Sequence, residues 1–399
     1  MRTITAVTWE IDDMDKAAEE LLCKARELDL GKASVGIVYC DVEADLESLG
    51  ALLNERLGIE IIGVTTTTAI EKNEGFCDMN IVLTVITGDD VSFAVGETGP
   101  LTLDNYAAAI REAYNAAAAA LSCGSVKLVL ALTPYIASLT SEHYVEALDA
   151  ASGGVPVFGG VATDHWDLAY QKTFHNGSAF GEGLVFLLIS GNVKPVFAME
   201  HNFASTVEHK AIVTKSSGNM VERVDNIPFI EYLATFGPVP NEESVIFHYQ
   251  ATPFSVELPD YIEGEMPVIR ALSTLDHEKS AGGFLSKIPV GSKMSMNVLQ
   301  KNNLETSCRN TLSMVLEKME ANADYNYSLI LVTTCNARYL VMGDAKRMES
   351  EILTEMLSGR DDINAMGFYA FGEFCPTSIL EDGNAVNRFH NFSVTVCAI

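Results

Sequence analysis

The chain has 399 residues, of which 48% are apolar and 20% are charged, a composition typical of a folded globular protein. Its 26 basic and 54 acidic residues give a formal charge of −28, which disfavours nucleic acid and anionic lipid as partners. The length exceeds what one hydrophobic core usually serves, so we expect two domains.

The lack of a recognisable targeting signal and the cysteine usage indicate a cytoplasmic location. Residues 1–11 lack the apolar run of a signal peptide, and no apolar stretch approaches the roughly 20 residues that span a bilayer. The eight cysteines include no C-x-x-C pair, a usage typical of free thiols in a reducing environment. We therefore expect a cytoplasmic protein without membrane insertion.

One pattern occurs twice in the first half of the chain: an apolar strand, an amphipathic helix, a glycine-marked strand and a further strand. The first copy predicts strands at 34–40, 61–68 and 79–87 and a helix over 42–57, with Asp41 as its N-cap. An alanine-rich helix is predicted over 107–121. The second copy predicts strands at 127–132, 155–164, 168–174 and 184–189, a helix over 141–151 and a turn at Asn176-Gly177.

A β-rich region separates the second copy from a third. Strands at 210–215 and 220–224 predict a hairpin, followed by a short helix over 228–236, β structure over 286–296 and a helix over 304–321. The third copy predicts strands at 328–334, 366–374 and 392–398, with a helix over 346–357.

This order of elements predicts the fold class. A strand–helix–strand unit forms a parallel pair, and a strand that follows closely is expected to be an antiparallel neighbour. We therefore expect an α/β fold of α+β character, in which repeated strand–helix–strand–strand units form mixed sheets with helices outside. Because Gly191 to Pro195 follow a finished strand, we expect two domains at 1–195 and 196–399.

Several catalytic signatures are absent from the sequence. There is no P-loop, H-E-x-x-H, G-x-S-x-G or G-x-G-x-x-G pattern, and the eight histidines form no i, i+4 pair. We therefore predict no catalytic residues, no bound metal, no cofactor and a protein that is not an enzyme.

Small and polar residues mark the ends of the glycine-marked strands, where α/β proteins collect binding groups. Hydroxyls and backbone amides there can grip a small polar ligand, although threonine also favours strands on propensity alone. The candidates from the first two copies are Gly63, Thr65, Thr66, Thr67, Gly159, Gly160 and Asp164.

The third copy supplies charged candidates. Arg338, three residues after Cys335, could hold a carboxylate, and Glu373, after Gly372, could accept from an amine or fix Arg338. His390-Asn391 opens the last strand and could contact a ligand. The alternative for each is a structural role, such as a local ion pair or a satisfied histidine.

At these positions the chain resembles the FIST family, which has FIST N and FIST C domains. The resemblance is carried in order by Gly63 to Thr67, Gly159 to Asp164, Gly191 to Val193, Gly218 to Pro228, Cys335 to Arg338, Gly367 to Glu373, and His390-Asn391. Two segments depart from the family pattern, Thr68-Ala69 and His201 to Ala204. The last three matching segments contain the candidates Cys335, Arg338, Glu373, His390 and Asn391, and they add Gly367 and Gly372 to the candidate residues.

The resemblance implies a bacterial or archaeal sensor in intracellular signal transduction. Its ligand would be an amino acid or a related small metabolite, and it would signal to a separate partner such as a histidine kinase. Some family members resemble haem-binding nitric-oxide sensors, which leaves a haem sensor as an alternative. The axial ligand would then be one of four histidines, His165, His201, His248 or His390. A second alternative is an enzyme with Cys335 or Cys375 as nucleophile.

Overall fold

The computed structural model describes residues 1–201, 210–262 and 265–399. It contains three repeated units. Unit 1 comprises β1 Arg2–Thr8, α1 Met14–Ala25, β2 Ala33–Asp41, α2 Leu46–Leu57, β3 Glu60–Thr66, β4 Ala69–Glu71, β5 Gly75–Cys77 and β6 Ile81–Gly88. Unit 2 comprises β7 Val91–Glu97, α3 Tyr106–Ala120, β8 Val126–Thr133, α4 Glu142–Ser152, β9 Val157–Val161, β10 Thr173–His175, β11 Ser178–Phe180 and β12 Val185–Gly191.

Unit 3 is interrupted by a long insert. It starts with β13 Val196–Glu200. The insert follows, with β14 Ala211–Ser217, β15 Met220–Val224, β16 Ile227–Pro228, α5 Phe229–Ala234, β17 Phe254–Glu257, β18 Val268–Arg270, β19 Leu272–Asp276, β20 Ala281–Phe284 and β21 Lys293–Met296. Unit 3 resumes with α6 Lys301–Ala321, β22 Leu329–Cys335, α7 Asn336–Met342, α8 Met348–Met356, β23 Asn364–Ala370, β24 Glu373–Ile379, β25 Ala385–His390 and β26 Val394–Ala398.

The three units share one strand order. Their sheets run β1-β6-β2-β3, β7-β12-β8-β9 and β13-β26-β22-β23. In each sheet the last two strands are parallel and the others are antiparallel. The structure therefore confirms an α/β fold of mixed sheets built from a repeated unit.

Each unit also lends a hairpin to another unit. The hairpin β4–β5 of unit 1 extends the sheet of unit 3, and β10–β11 of unit 2 extends the sheet of unit 1. The hairpin β24–β25 of unit 3 extends the sheet of unit 2, which closes the cycle. Every one of these sheets thus has six strands, two of them borrowed.

The sheets enclose a shared apolar core. Their inward side chains, such as Tyr39, Leu130 and Leu331, form one cluster that draws on all three units. Alternate residues face outward and pack on the helices, as Val38 does in unit 1. The central strands are buried on both faces, so their alternate side chains pack on the core inside and on the helices outside. The insert has a core of its own, which contains Phe229 and Phe284.

Three local predictions were wrong. The strand predicted over 366–374 is in fact two strands, β23 and β24, which belong to different sheets. The N-cap of α2 is Asp45, whose carboxylate accepts from the Ser48 amide, because Asp41 still belongs to β2. The strand predicted over 168–174 begins only at Thr173 in the structure. Residues 168–170 instead turn around Asp164, whose carboxylate accepts from their three amides at 2.9–3.1 Å.

The predicted domain boundary at 195/196 falls between β12 and β13 and stays a prediction. Borrowed hairpins cross this position in both directions. Of the departing segment at His201, residues 202–204 lie outside the described residues. Within the described part of the chain, no helix combines the length and apolarity needed to cross a bilayer.

Candidate functional site

The carboxyl ends of β3, β9 and β23 meet where the three units come together. The Thr163 amide donates to the Thr65 carbonyl at 3.0 Å, and the Phe371 amide donates to the Val161 carbonyl at 3.1 Å. Each bond joins two units. The sequence analysis expected binding groups at these strand ends, and the structure brings the three strand ends together.

The candidate glycines lie at tight strand crossings. Gly63, Gly159 and Gly367 occupy the same register position in their units, each opposite a residue of the parallel neighbour strand. A Cβ at any of them would come closer than 3.0 Å to that neighbour's carbonyl oxygen. Gly160 and Gly372 are equally confined, by Thr333 and by the Phe389 ring. Close packing therefore accounts for all five glycines, and their contact with a ligand stays a prediction.

The candidate threonines form a buried network between units. The Thr66 hydroxyl donates to the Tyr369 carbonyl at 3.0 Å, and the Thr67 hydroxyl donates to the Asp164 carbonyl at 2.8 Å. The Thr65 hydroxyl accepts from the Lys172 amide at 2.9 Å. These bonds tie unit 1 to units 2 and 3.

An aromatic cleft opens beside this junction, between the units and the insert. Its unit side is formed by Tyr135, Ser141, Trp166, Leu168, Cys335, Ala337, Leu340, Ala370, Phe371, Phe389, Asn391 and Phe392. Its insert side is formed by Ile246, Phe247, Tyr249, Gln250, Ala271, Leu272 and Leu285. The space measures about 740 Å³ together with the open solvent at its mouth.

Three residues of this cleft have unusual backbone geometry. Trp166, Leu168 and Phe392 have φ of 76°, 55° and 59°. Bulky residues are rarely found in this left-handed region because Cβ crowds the backbone there. Such strain persists only where the surrounding structure enforces it, and it is concentrated at functional sites.

Asp164 holds the strained loop in place. Its carboxylate accepts from the amides of Leu168, Ala169 and Tyr170. The next residue, His165, lies 3.2 Å from the Asp41 carboxylate. The predicted site residue Asp164 is thus a positioning residue for Trp166 in this structure.

Cys335 and Glu373 form a buried neutral pair at the wall of the cleft. The Glu373 carboxyl accepts from the Ser393 hydroxyl at 2.6 Å, and the Cys335 thiol is buried close to it. Burial raises the pKa of Glu373 to about 8 and raises the pKa of the Cys335 thiol well above its usual range. Burial likewise raises the pKa of the Cys375 thiol. Because a nucleophilic cysteine needs its thiolate, this environment disfavours cysteine-dependent catalysis.

Arg338 pairs with a residue that the sequence analysis overlooked. Its fully buried guanidinium lies 2.6 Å from the Glu349 carboxylate. It also donates to the Leu304 and Phe392 carbonyls at 3.0 and 3.2 Å. Glu349, and not Glu373, therefore fixes Arg338. Because Phe392 is one of the strained residues of the cleft, Arg338 helps to position the cleft wall by its hydrogen bond to the Phe392 backbone carbonyl.

Among the described residues that line the aromatic cleft there is none of the four histidines proposed as haem ligands. His165 lies beside the Asp41 carboxylate. His390 is buried and donates from Nε2 to the Cys375 carbonyl at 3.0 Å, and burial lowers its pKa to about 3. His201 lies 3.0 Å from the Pro267 carbonyl, and burial lowers its pKa to about 4. His248 pairs with Glu242 at 2.7 Å. Since a haem needs an imidazole on an apolar wall, these described histidines do not fit one, and the haem sensor stays a prediction.

Asn391 joins the cleft to the insert, because its Oδ1 accepts from the Ser286 hydroxyl at 3.1 Å. A second, open cleft lies on the other side of the Asp164 loop. It is rich in acidic residues, including Glu43, Asp45 and Asp167. Across the described ranges, no group of three His, Cys, Asp or Glu side chains could hold a metal ion.

The sequence analysis does not name the aromatic side chains of the cleft, among them Trp166, Phe371 and Phe247, as candidates. One signal was present: Trp166 lies two residues after Asp164, beyond a glycine-marked strand end, where binding groups collect. Nothing in the sequence places the insert residues 246–250 against Trp166, because that contact depends on the docking of the insert.

Comparison with known proteins identifies the family. The model of the FIST N domain matches residues 34–227, and the model of the FIST C domain matches residues 230–376. No curated protein matches the chain. Among solved structures, a cyanuric acid hydrolase from A. caulinodans aligns with 11% identity over 99% of this chain and 98% of its own, with a TM-score of 0.29, too low to support any inference. The chain therefore belongs to the FIST family, whose domains are associated with the sensing of small ligands in signal transduction.

Proposed function

We propose that the protein is a small-ligand sensor whose ligand binds in the aromatic cleft. The observation that carries the proposal is the presence of three left-handed bulky residues, Trp166, Leu168 and Phe392, on one cleft wall. A fold that keeps such residues strained is preorganised at that point, as ligand sites often are. The cleft is also concave and mostly apolar with a few polar groups, as small-molecule sites usually are.

Binding would act on the position of the insert. The insert is held to the units by polar contacts: Arg270 donates to the Phe389 carbonyl at 3.0 Å and lies 3.1 Å from Glu142. Lys287 pairs with Glu146 at 2.8 Å. Because the cleft has walls from both the insert and the units, a ligand there has a different affinity for docked and undocked arrangements. Such a difference is what shifts a conformational equilibrium.

The ligand class and the partner are proposed from the sequence resemblance. Amino acids and related small metabolites are the ligands that the sequence resemblance implies, and a separate protein such as a histidine kinase would receive the signal. The acidic surface, with a formal charge of −28, favours a partner with a basic docking face.

A thermal-shift screen tests this proposal. Wild-type protein is screened against amino acids, small metabolites and haemin, beside Ala337→Phe, which fills the cleft, and Ala116→Phe on the exposed face of α3. A ligand at a hundred times its Kd adds about 2.7 kcal/mol of stability. We expect the same compound to raise the Tm of wild type and Ala116→Phe but not of Ala337→Phe. An equal shift in all three proteins would exclude the cleft as the site.

A further inference from the structure

The wall of the aromatic cleft carries no charge. Among the described residues that line it there is no Asp, Glu, Lys, Arg or His, although 20% of the chain is charged. The nearby Glu373 has a pKa raised to about 8 by burial, so it is mostly neutral at pH 7. Arg338 is already paired with Glu349 at 2.6 Å. A charged ligand would therefore lose its hydration without gaining an ionic partner.

The aromatic lining of the cleft suits a planar ligand. The Trp166 ring lies 5.5 Å from the Phe371 ring and 6.0 Å from the Phe247 ring, measured between centroids. Tyr135 lies 6.3 Å from Phe371 at an interplanar angle of 69°. Aromatic rings at these separations pack best against another π system, by its edge or its face.

Two buried polar atoms of the lining have no hydrogen-bond partner. They are Nε1 of Trp166, which can only donate, and Oε1 of Gln250, which can only accept. Buried polar groups are usually satisfied, and because both atoms belong to residues that line the cleft, a bound ligand can supply their partners. The complement is a molecule with one acceptor and one donor.

From these three observations we infer that the cleft binds an uncharged, planar aromatic molecule with an amide-like acceptor and donor, either an aromatic amide or a nitrogen heterocycle. This inference rests on the proposed function and narrows it. It disfavours free amino acids, which carry both an ammonium and a carboxylate at neutral pH.

Calorimetric titration with matched probes tests the inference. Nicotinamide is compared with nicotinate, and benzamide with benzoate, since each pair differs chiefly in charge; L-phenylalanine represents the free amino acids. We expect each amide to bind wild-type protein at least about tenfold more tightly than its carboxylate. Trp166→Phe, which keeps an aromatic side chain and removes the indole N–H donor, should weaken amide binding about five- to tenfold. Tyr170→Phe on the same loop should not weaken it.

The outcomes separate this inference from the proposed function. Tighter binding of a carboxylate or of L-phenylalanine overturns the ligand class. If Ala337→Phe abolishes that binding, the cleft is still the ligand site. If Ala337→Phe leaves the binding intact, the proposal that the cleft is the ligand site is also wrong. No heat from either amide up to its solubility limit also overturns the class.

Discussion

At the residue scale, the ionisable groups predicted to hold a ligand are buried and engaged within the protein. Arg338 is paired with Glu349 at 2.6 Å, and the Glu373 carboxyl accepts from the Ser393 hydroxyl. Sequence reasoning could place both near a strand end. It could not give their partners, because Glu349 comes from α8 and Ser393 from the turn before β26.

Glu373 gives a prediction for the pH dependence of stability. Its pKa is raised from 4.5 to about 8, mainly by burial, so the folded state holds a proton that the unfolded state loses. This contribution is complete below about pH 4.5 and is lost as the pH rises towards 8. Between pH 5 and 8, the free energy of unfolding of the wild type should therefore fall by about 3–5 kcal/mol more than that of Glu373→Gln.

Urea denaturation across that pH range measures the difference. Glu381→Gln, at an exposed position, is the matched control and should follow the wild-type profile. Parallel profiles for wild type and Glu373→Gln would show that the side chain is not a buried neutral acid.

At the element scale, the loop between β9 and β10 determines the shape of the cleft. Asp164 binds three successive amides of this loop, and the loop carries the two strained residues Trp166 and Leu168. The sequence predicted a strand there because residues 168–174 include several strand-forming side chains. The hydrogen bonds of a single carboxylate override that propensity.

The loop gives a second prediction. Asp164→Asn replaces one acceptor oxygen by a donor, so at least one of the three amide bonds is lost. We expect a loss of about 1–3 kcal/mol of stability and weaker binding of any ligand of the cleft. In a Trp9→Phe background Trp166 is the sole tryptophan, and its emission should shift to the red. Asp167→Asn in the same loop should leave the emission unchanged; a shift in both variants would contradict the assigned role of Asp164.

At the scale of the whole molecule, the exchanged hairpins make the three units interdependent. The sheet of unit 2 includes β24–β25 from the end of the chain. The sheet of unit 3 includes β4–β5 from near the start of the chain. The shared core also draws residues from all three units. Two family domains therefore do not imply two independently folding halves.

Fragments test this interdependence. Residues 1–195 or 196–399 alone would expose a sheet edge and an apolar core face, so neither should show cooperative thermal unfolding. Expressed together, they should associate into one folded complex at a 1:1 ratio. A cooperative transition by circular dichroism in either isolated fragment would contradict this prediction.

The repeat itself could be predicted from sequence, because its strands and helices are local and periodic. The parallel pairs and the antiparallel strand after each of them follow from connection length and are confirmed. The hairpin exchange could not be predicted, since β4, β5, β10 and β11 are three residues long and their partners lie in other units. The aromatic cleft escaped prediction for the same reason: its walls are joined only by tertiary packing.

Hydrogen–deuterium exchange on the full chain tests the central claim, that a small ligand binds between the units and the insert. It would compare the free protein with the protein saturated by the compound that raises Tm most. We predict that protection increases in four segments: 164–170, 246–250, 335–340 and 389–392. Protection confined to the acidic cleft around residues 43–47, or absent from the insert segment, would contradict the account.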